Sequence, residues 1–444
     1  MLFQQFLDDE LGCAAYLVGD EDAGVAAIVD PPYAVEPVLE TARRRGVRIV
    51  QVIETHTHAD HLSGHGRLAL EHDVPVSIHP AADAMYPHEP LEDGAEIELG
   101  RVVLRAIHTP GHRPEHTCFS VIDRSRADEP WLVLTGDCLF VGDAGRPDLA
   151  VAAREGAEVL FQSIRRLLEL SDGVEVFPGH VAGSLCGKAM SSKASSTIGF
   201  ERRFNPVLIA DELQFVAESA SVGTPKPPNM RRLVELNRGP FVGAPSEVAE
   251  LDSDAADATV LDVRPLEDFL AGHAPGAISV PVSGRSFGTK AAFVLDPDDR
   301  IVVAASSPDE AARAVRGLRA VGFLELAGYV LGGGSERMDA VTLDELEALL
   351  EAGAELIDVR ERDERDSGYI AGSRNIPYRL LTLGEADIPP GRPIVTICES
   401  GARAGIAASL LAGQGLDARP VLDGGVSSWS ARGGRTIEFR RCGS

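Results

Sequence analysis

Cysteine is scarce in this chain: six residues in 444, at positions 13, 118, 138, 186, 398 and 442, with no C-x-x-C pair. That excludes a disulfide framework and fits a reducing compartment. No apolar run approaches the ~20 residues that a membrane span needs. The first ten residues hold neither a basic cluster nor a long apolar stretch, so no signal peptide is expected and a cytoplasmic location is. Positive charge is also short, with 42 Lys and Arg against 68 Asp and Glu, a formal net charge of −26. This argues against a nucleic-acid or anionic-membrane partner. It also makes any basic group beside a site more telling.

What the chain does have is histidine beside aspartate. Thr55-His56-Thr57-His58-Ala59-Asp60-His61 follows an apolar run at 47–53. Three imidazoles and a carboxylate within six residues, at the mouth of an expected strand, suit a metal. Further ligand types follow later strand-like runs at 102–107, 131–134 and 174–177: His112 in Thr109-Pro110-Gly111-His112, Asp137 in Thr135-Gly136-Asp137, and His180 in Pro178-Gly179-His180. Rigid strands fix such ligands and loops set their approach angles. Asp60 and His61 are also placed to cap a following helix. Spacing alone leaves both a two-metal and a one-metal site open. Cys13, Cys118 and Cys138 lie in apolar, strand-like contexts and read as core.

Length predicts about three domains at roughly 150 residues each. Residues 1 to about 220 alternate strand-like and helix-like segments and hold every metal-type motif. A Pro- and Gly-marked stretch, 221–245, reads as a connector. A tandem repeat follows. Leu261-Asp262-Val263-Arg264 matches Ile357-Asp358-Val359-Arg360 at an offset of 96, as do Gly272 with Gly368, Gly276 with Gly372 and Pro281 with Pro377. The apolar runs 301–303 and 394–396 match at an offset of 93. Each unit reads as an open parallel α/β sheet.

The His56/His58/Asp60/His61 cluster with His112, Asp137 and His180 resembles the metallo-β-lactamase superfamily. That implies an αββα sandwich with the site at one edge. Gly136-Asp137-Cys138-Leu139-Phe140, Gly145-Arg146-Pro147-Asp148 and the segment from Pro178 to Lys188 are similar to its persulfide dioxygenase branch. The resemblance covers most of residues 1–240. It implies one Fe(II) per chain, held by His56, His112 and Asp137, a 2-His-1-carboxylate triad with open positions for O₂ and a substrate sulfur. His58, Asp60, His61 and His180 would then support the ligands or hold a second metal, His180 beside the chemistry. It also implies that Arg146 lies at the thiol pocket, with Lys188 and Cys186 near it; an ion pair of Arg146 with Asp143 or Asp148 is the plainer alternative. Arg113-Pro114-Glu115-His116 departs from the shorter turn expected after His112. The family self-associates, so a homo-oligomer is expected. A glyoxalase II-type thioester hydrolase with two zinc ions is the alternative, against which stand the fused C-terminal half and the lack of a helical substrate domain before the connector.

In the second repeat, the run Ile394-Val395-Thr396-Ile397 ends in Cys398-Glu399-Ser400-Gly401-Ala402-Arg403, before a helical segment. A cysteine between a strand and a helix N-terminus faces N–H groups and the positive end of the dipole, which favour thiolate. The loop resembles the rhodanese active loop, implying Cys398 as sulfur-accepting nucleophile, Arg403 as catalytic cation, and Glu399, Ser400 and Gly401 as substrate-binding positions. Its four intervening residues, against five in cysteine phosphatases, favour sulfur over phosphate. Glu399 is a departure that would repel anionic donors. In the first repeat, Ala305 falls where Cys398 sits and Glu310 where Arg403 sits, so that unit reads as a pseudorhodanese with a scaffolding role. The expected domains are 1–240, 241–335 and 336–444. The implied function is oxidation of low-molecular-weight thiol persulfides with O₂ to sulfite, coupled to thiosulfate formation, in sulfide detoxification.

Overall fold

Along the strand Leu132–Gly136, Leu132 and Leu134 enter a core between two sheets while Val133 faces the opposite side. Successive side chains of a strand point to opposite faces, so a continuous apolar run belongs to a sheet covered on both. The structure is a computed structural model and describes residues 1–181, 187, 190–221, 225–252, 257–383, 388 and 391–438. One six-stranded sheet sets Leu2–Asp8, Cys13–Asp20, Val25–Val29, Arg48–Ile53, Val76–Ile78 and Glu89–Pro90 side by side in chain order. The other runs Ser196–Thr197, Glu175–Pro178, Leu132–Gly136, Thr117–Asp123, Val102–His108, Glu96–Leu99. Tyr16, Val29 and Ile53 of the first sheet meet Leu104, Phe119 and Leu134 of the second. The helix Glu36–Arg45 covers one outer face through Val38 and Ala42. The helix Ala153–Leu167 covers the other through Ala157, Leu160, Ile164 and Leu167, which share one stripe at helical spacing. The result is the expected αββα sandwich.

Thr117–Asp123 is antiparallel to both Val102–His108 and Leu132–Gly136, and Glu175–Pro178 is parallel to the latter. The loops after Val102–His108, Leu132–Gly136 and Glu175–Pro178, which run the same way, therefore open on the same edge. The first sheet reaches that edge as well, since Thr117 N donates to Thr55 O at 2.8 Å.

Two stretches differ from expectation. The helices Ile198–Phe204, Pro206–Ile209 and Glu212–Ala220 stand just before the connector, where no helical substrate domain is expected. Their Ile198, Leu208, Phe215 and Val216 join the core under Ala153–Leu167, so they extend the sandwich. The presumed connector holds the helix Met230–Arg238, with Leu233 and Asn237 buried one turn apart. Its Pro-rich flank and strong charge hide it in the sequence.

In the second half the repeat is one of structure. Ile278–Ser279, Thr259–Asp262, Ile301–Ala305 and Leu326–Leu331 form one four-stranded parallel sheet; Arg374–Asn375, Glu355–Asp358, Ile394–Ile397 and Ala418–Pro420 form another in the same order. The chain divides into two compact units, Met1–Ser246 with Arg319–Gly322, and Glu247–Leu318 with Phe323–Ser444. Both sheets thus lie in the second unit. There the helix Ala402–Gly413 is buried from Ala404 to Leu411. Ser409 Oγ accepts from Ser279 N at 3.0 Å, and a Cβ on Gly405 would meet Leu266 at 2.5 Å. No helix among the described residues is long and apolar enough to cross a membrane.

Candidate functional site

His56 and Asp137 follow strands that end at Ile53 and Gly136, and His112 lies in the turn after Val102–His108. Their donor atoms lie within 4.8 Å of one another. Gly136, at φ 46°, permits the turn, and a Cβ there would lie 2.6 Å from His116 Nε2. Gly111, at φ 137°, lets the His112 turn lie directly on Leu160.

The hydrogen-bond network assigns the tautomers. Thr55 Oγ1 donates to Asp30 Oδ2 at 2.8 Å, so it accepts from His56 Nδ1 at 2.9 Å. His112 Nδ1 donates to the Arg146 carbonyl at 2.9 Å. Both rings thus aim an unprotonated Nε2 inward. Burial, reinforced by neighbouring histidines, holds His56 well below the ordinary imidazole range. Burial likewise takes His112 down to about 4, against the pull of Asp137. Asp137 Oδ2 lies 3.4 Å from His112 Nε2 and 4.0 Å from His56 Nε2, and neither of its buried oxygens accepts a hydrogen bond. Burial opposes its charge, yet His180 and His112 keep it well below the usual carboxylate range. Lone pairs of a carboxylate and two neutral imidazoles converge without protons between them. Such a donor set fits a cation and is hard to hold otherwise.

The other cluster residues separate into two groups. His58 turns away from the triad: its Nε2 is 3.0 Å from Glu54 Oε2 and 3.2 Å from Asp30 Oδ1. Burial opposes its protonation, but these two carboxylates raise it well above the ordinary range. Glu54, in turn, overcomes burial through His58 and His65 and falls to about 2. Asp60 lies 3.2 Å from His61 Nδ1 and 3.3 Å from His180 Nε2, which is also 3.3 Å from Asp137 Oδ1. Neither Asp60 nor His61 caps the next helix, which starts at His65 with Gly64 as its cap.

Several supporting residues escape a reading of the sequence alone. Cys13, expected in the core, places Sγ 3.5 Å from Asp60 Oδ2 and 3.6 Å from His61 Nδ1, because an isolated bridge pairs it with His180. Burial and Asp60 raise this thiol well above its ordinary range. His116 Nε2 accepts from Asp137 N at 2.9 Å. Glu115 Oε1 accepts from Thr57 N at 3.1 Å and from Arg113 at 2.7 Å, so the unusual Arg113–His116 turn braces the histidine loop. Asn237 Nδ2 donates to the His58 and His61 carbonyls at 2.9 and 2.7 Å. The sequence marks Arg113–His116 only as an unexpected turn, and gives no sign of the parts that Cys13 and Asn237 play.

Arg146 is buried and forks onto Asp148 at 2.6 and 2.8 Å, the plainer of its two expected roles. Lys188 and Cys186 lie outside the described residues.

In the second unit Cys398 follows Ile394–Ile397 directly and is 1% exposed. Gly401 N donates to its Sγ at 3.2 Å, and Gly401, at φ 85°, caps the helix Ala402–Gly413. Arg403 forks onto Glu364 at 2.6 and 2.7 Å. Although burial acts against its charge, that pairing raises its pKa further. Glu399 Oε2 is 3.4 Å from Arg360 Nη1 and its Oε1 accepts from Ser427 N at 3.2 Å; Ser400 is exposed. In the first repeat, Asp262 pairs with Ala304 as Asp358 pairs with Ile397, so Ala305 takes the register position of Cys398.

Residues 8–180 match the metallo-beta-lactamase superfamily, and residues 244–338 and 342–432 each match the rhodanese-like domain. The mitochondrial persulfide dioxygenase ETHE1 of Bos taurus is 29% identical over 245 residues, 53% of this chain and 87% of that protein. An uncharacterized protein of Mycobacterium tuberculosis is 31% identical over 237 residues, 47% of this chain and 98% of that protein. Among solved structures, a metallo-beta-lactamase from Staphylococcus aureus aligns with 75% of this chain and 98% of its own, at TM-score 0.69 and 29% identity.

Proposed function

The chain belongs to the metallo-beta-lactamase superfamily and carries two rhodanese-like domains, and on that premise we propose that it is a persulfide dioxygenase coupled to a sulfurtransferase. His56, His112 and Asp137 would hold one Fe(II). Bound iron supplies open coordination positions at which a persulfide sulfur and O₂ meet. The overall reaction is RSSH + O₂ + H₂O → RSH + SO₃²⁻ + 2H⁺. Cys398 would carry a sulfane sulfur and transfer it to sulfite: Cys–S–S⁻ + SO₃²⁻ → Cys–S⁻ + S₂O₃²⁻. Joining the two raises the effective concentration of sulfite at the thiol.

The observation that carries the reading is the turn of His58. A two-zinc hydrolase uses both histidines of the H-x-H pair, whereas this one is occupied by Asp30 and Glu54. What remains to hold an ion is two neutral imidazoles and one carboxylate, His56, His112 and Asp137. Thr55 and the Arg146 carbonyl fix the imidazole tautomers; His116 fixes the backbone of Asp137. His180, 3.3 Å from both Asp137 and Asp60, would help to orient the carboxylate and stand beside the chemistry. The domains we assign are 1–240 for the dioxygenase with its connector, 241–335 for a pseudorhodanese and 336–444 for the active rhodanese.

The test is oxygen consumption by Fe(II)-reconstituted protein given a small-thiol persulfide, with sulfite and thiosulfate measured. Uptake with about one iron per chain is expected. His112→Ala and Asp137→Ala should each lose both the iron and the uptake. Two zinc ions per chain and turnover of a thioester instead would overturn the reading in favour of a hydrolase.

A further inference from the structure

The chain leaves the first unit at Ser246 and returns to it for four residues, Arg319–Gly322. They end the helix Pro308–Ala320, which belongs by sequence to the first rhodanese-like repeat. The last carbonyls of a helix have no partner within it and must find one elsewhere. Here Phe323 N donates to Leu318 O and Gly322 N to Arg319 O, both at 3.0 Å. This is the paired cap that a left-handed glycine allows, and Gly322 stands at φ 84°. It leaves the carbonyls of Ala320 and Val321. Ala320 O accepts from Leu62 N at 2.7 Å, and Val321 O accepts from Asn229 Nδ2 at 2.6 Å. Arg319, on the same turn, donates to the Ser246 carbonyl.

Leu62 directly follows His61 and is buried, so its N–H is a donor that the histidine loop must satisfy inside the protein. Asn237 holds the rest of the same stretch. It donates to the His58 and His61 carbonyls at 2.9 and 2.7 Å and accepts from Ser63 N at 2.9 Å. Asn229 and Asn237 are both buried, one at each end of the helix Met230–Arg238. Leu233, between them, packs against Gly322, where a Cβ would come within 2.8 Å of it. The carbonyls of His58 and His61 and the N–H groups of Leu62 and Ser63 are thus all held by this helix or by the segment seated on it.

We propose that Arg319–Gly322 is a positioning element of the metal site. Seated on the helix Met230–Arg238, it fixes the loop that begins at His56. The first repeat, with Ala305 and Glu310 where the second has Cys398 and Arg403, then serves the metal half by carrying this segment. The proposal rests on the reading of His56, His112 and Asp137 as metal ligands and holds for iron and zinc alike. Loosening the groups that orient metal ligands weakens metal binding by about 10–100-fold.

The test uses Asn229→Ala and Gly322→Ala in the whole chain. The first removes the donor to Val321 O; the second sets a side chain in a left-handed backbone position against Leu233. Three quantities are read: amide hydrogen exchange over 56–63 in the metal-free protein, the rate at which a chelator strips Fe(II) or Zn(II), each loaded separately, and the midpoint of denaturant unfolding. Leu167→Ala, which opens a cavity in the core under the helix Ala153–Leu167, controls for general destabilisation. Asn229→Ala and Gly322→Ala should each speed exchange over 56–63 and metal loss by about tenfold or more, while Leu167→Ala lowers the midpoint without either change. If Gly322→Ala does not fold, Asn229→Ala decides alone. Unchanged exchange over 56–63, unchanged metal loss, or metal loss that follows the midpoint in every variant would overturn the proposal and leave the segment as packing. Faster exchange and metal loss in the variants, with no oxygen uptake from any persulfide by the iron-loaded parent, would sink the dioxygenase reading alone. Uptake by the parent with a loop that stays tight in both variants would sink the positioning element alone.

Discussion

The two rhodanese-like repeats keep the same turn and differ in the loop opposite it. In the first, Arg264 Nε donates to Asp262 at 3.0 Å and Nη2 to the Gly272 carbonyl at 2.7 Å. In the second, Arg360 makes the same contacts, to Asp358 at 3.0 Å and Gly368 at 2.7 Å. Each pair is buried and ties the strand end to the turn eight residues on. The loops after the next strand then diverge. One ends in Cys398, with Gly401 N on its sulfur and a helix starting at Ala402. The other has Ala305, and Glu310 folds back to accept from Ser306 N at 2.6 Å, filling its own loop with a carboxylate. The buried ion pairs that tie each strand to its turn are thus separate from the loops in which the two repeats differ, so the fold can be kept while the loop changes.

The largest effect should come from the residue at which the repeats part. Cys398→Ser should lower thiosulfate formation by about 10³-fold or more, the scale of losing a nucleophile. Sulfite production by the metal half should persist. Adding Ala305→Cys to that variant should restore nothing, since Glu310 would oppose a thiolate where Arg403 stands in the other repeat. Recovery of sulfur transfer, read as thiosulfate against sulfite, would show that the first loop lacks only its thiol.

Next come the shared ion pairs. Arg264→Ala and Arg360→Ala each leave a buried aspartate uncompensated, at a cost of about 3–5 kcal/mol. Denaturant unfolding with hydrogen exchange read separately over the two sheets should show similar local losses. Arg360→Ala should also lower sulfur transfer, because Arg360 contacts Glu399 in the active loop. A loss in one repeat only would mean that the matched geometry hides different energetics.

A smaller effect probes how the repeats lean on each other. Gly405, on the helix that starts beside Cys398, has Leu266 of the first repeat 2.5 Å from where its Cβ would be. Gly405→Val should overpack this contact, cost about 1–3 kcal/mol and shift the helix. If the first repeat is a support, sulfur transfer should fall along with the melting temperature. A destabilised protein with intact transfer would remove that role.

The sequence discloses what is local. The histidine cluster, the TPGH and TGD turns and the Cys398 loop are runs of a few residues, and the Asp-x-Arg repeat is visible because it recurs. Groups assembled across the chain stay hidden. Cys13 meets Asp60 47 residues away, and Asn237 reaches His58 across 179. The second belongs to a helix that its Pro-rich flank disguises as a connector. The αββα order came only through the family resemblance that those motifs carry, and the role of His58 was not legible: its spacing suits a metal, and only the fold brings Asp30 and Glu54 to claim it.

The smallest expected effect isolates the one charged departure in the active loop. Glu399 is 39% exposed on its side chain, so solvent screens much of its field. Glu399→Gln keeps an acceptor for Ser427 N and removes only the charge. Run in reverse, the proposed transfer would bring thiosulfate, a dianion, to Cys398 as donor against this charge, so its KM should fall by about 2–5-fold, with the gain shrinking as salt is added. A neutral or singly charged persulfide donor should gain less. Because Ala305 and Glu310 leave the first repeat without a thiol or a cation at the matching positions, any change in donor preference reports on this loop alone. A rise in KM for thiosulfate would instead make Glu399 a positioning group, acting through Arg360 on the turn that both repeats share.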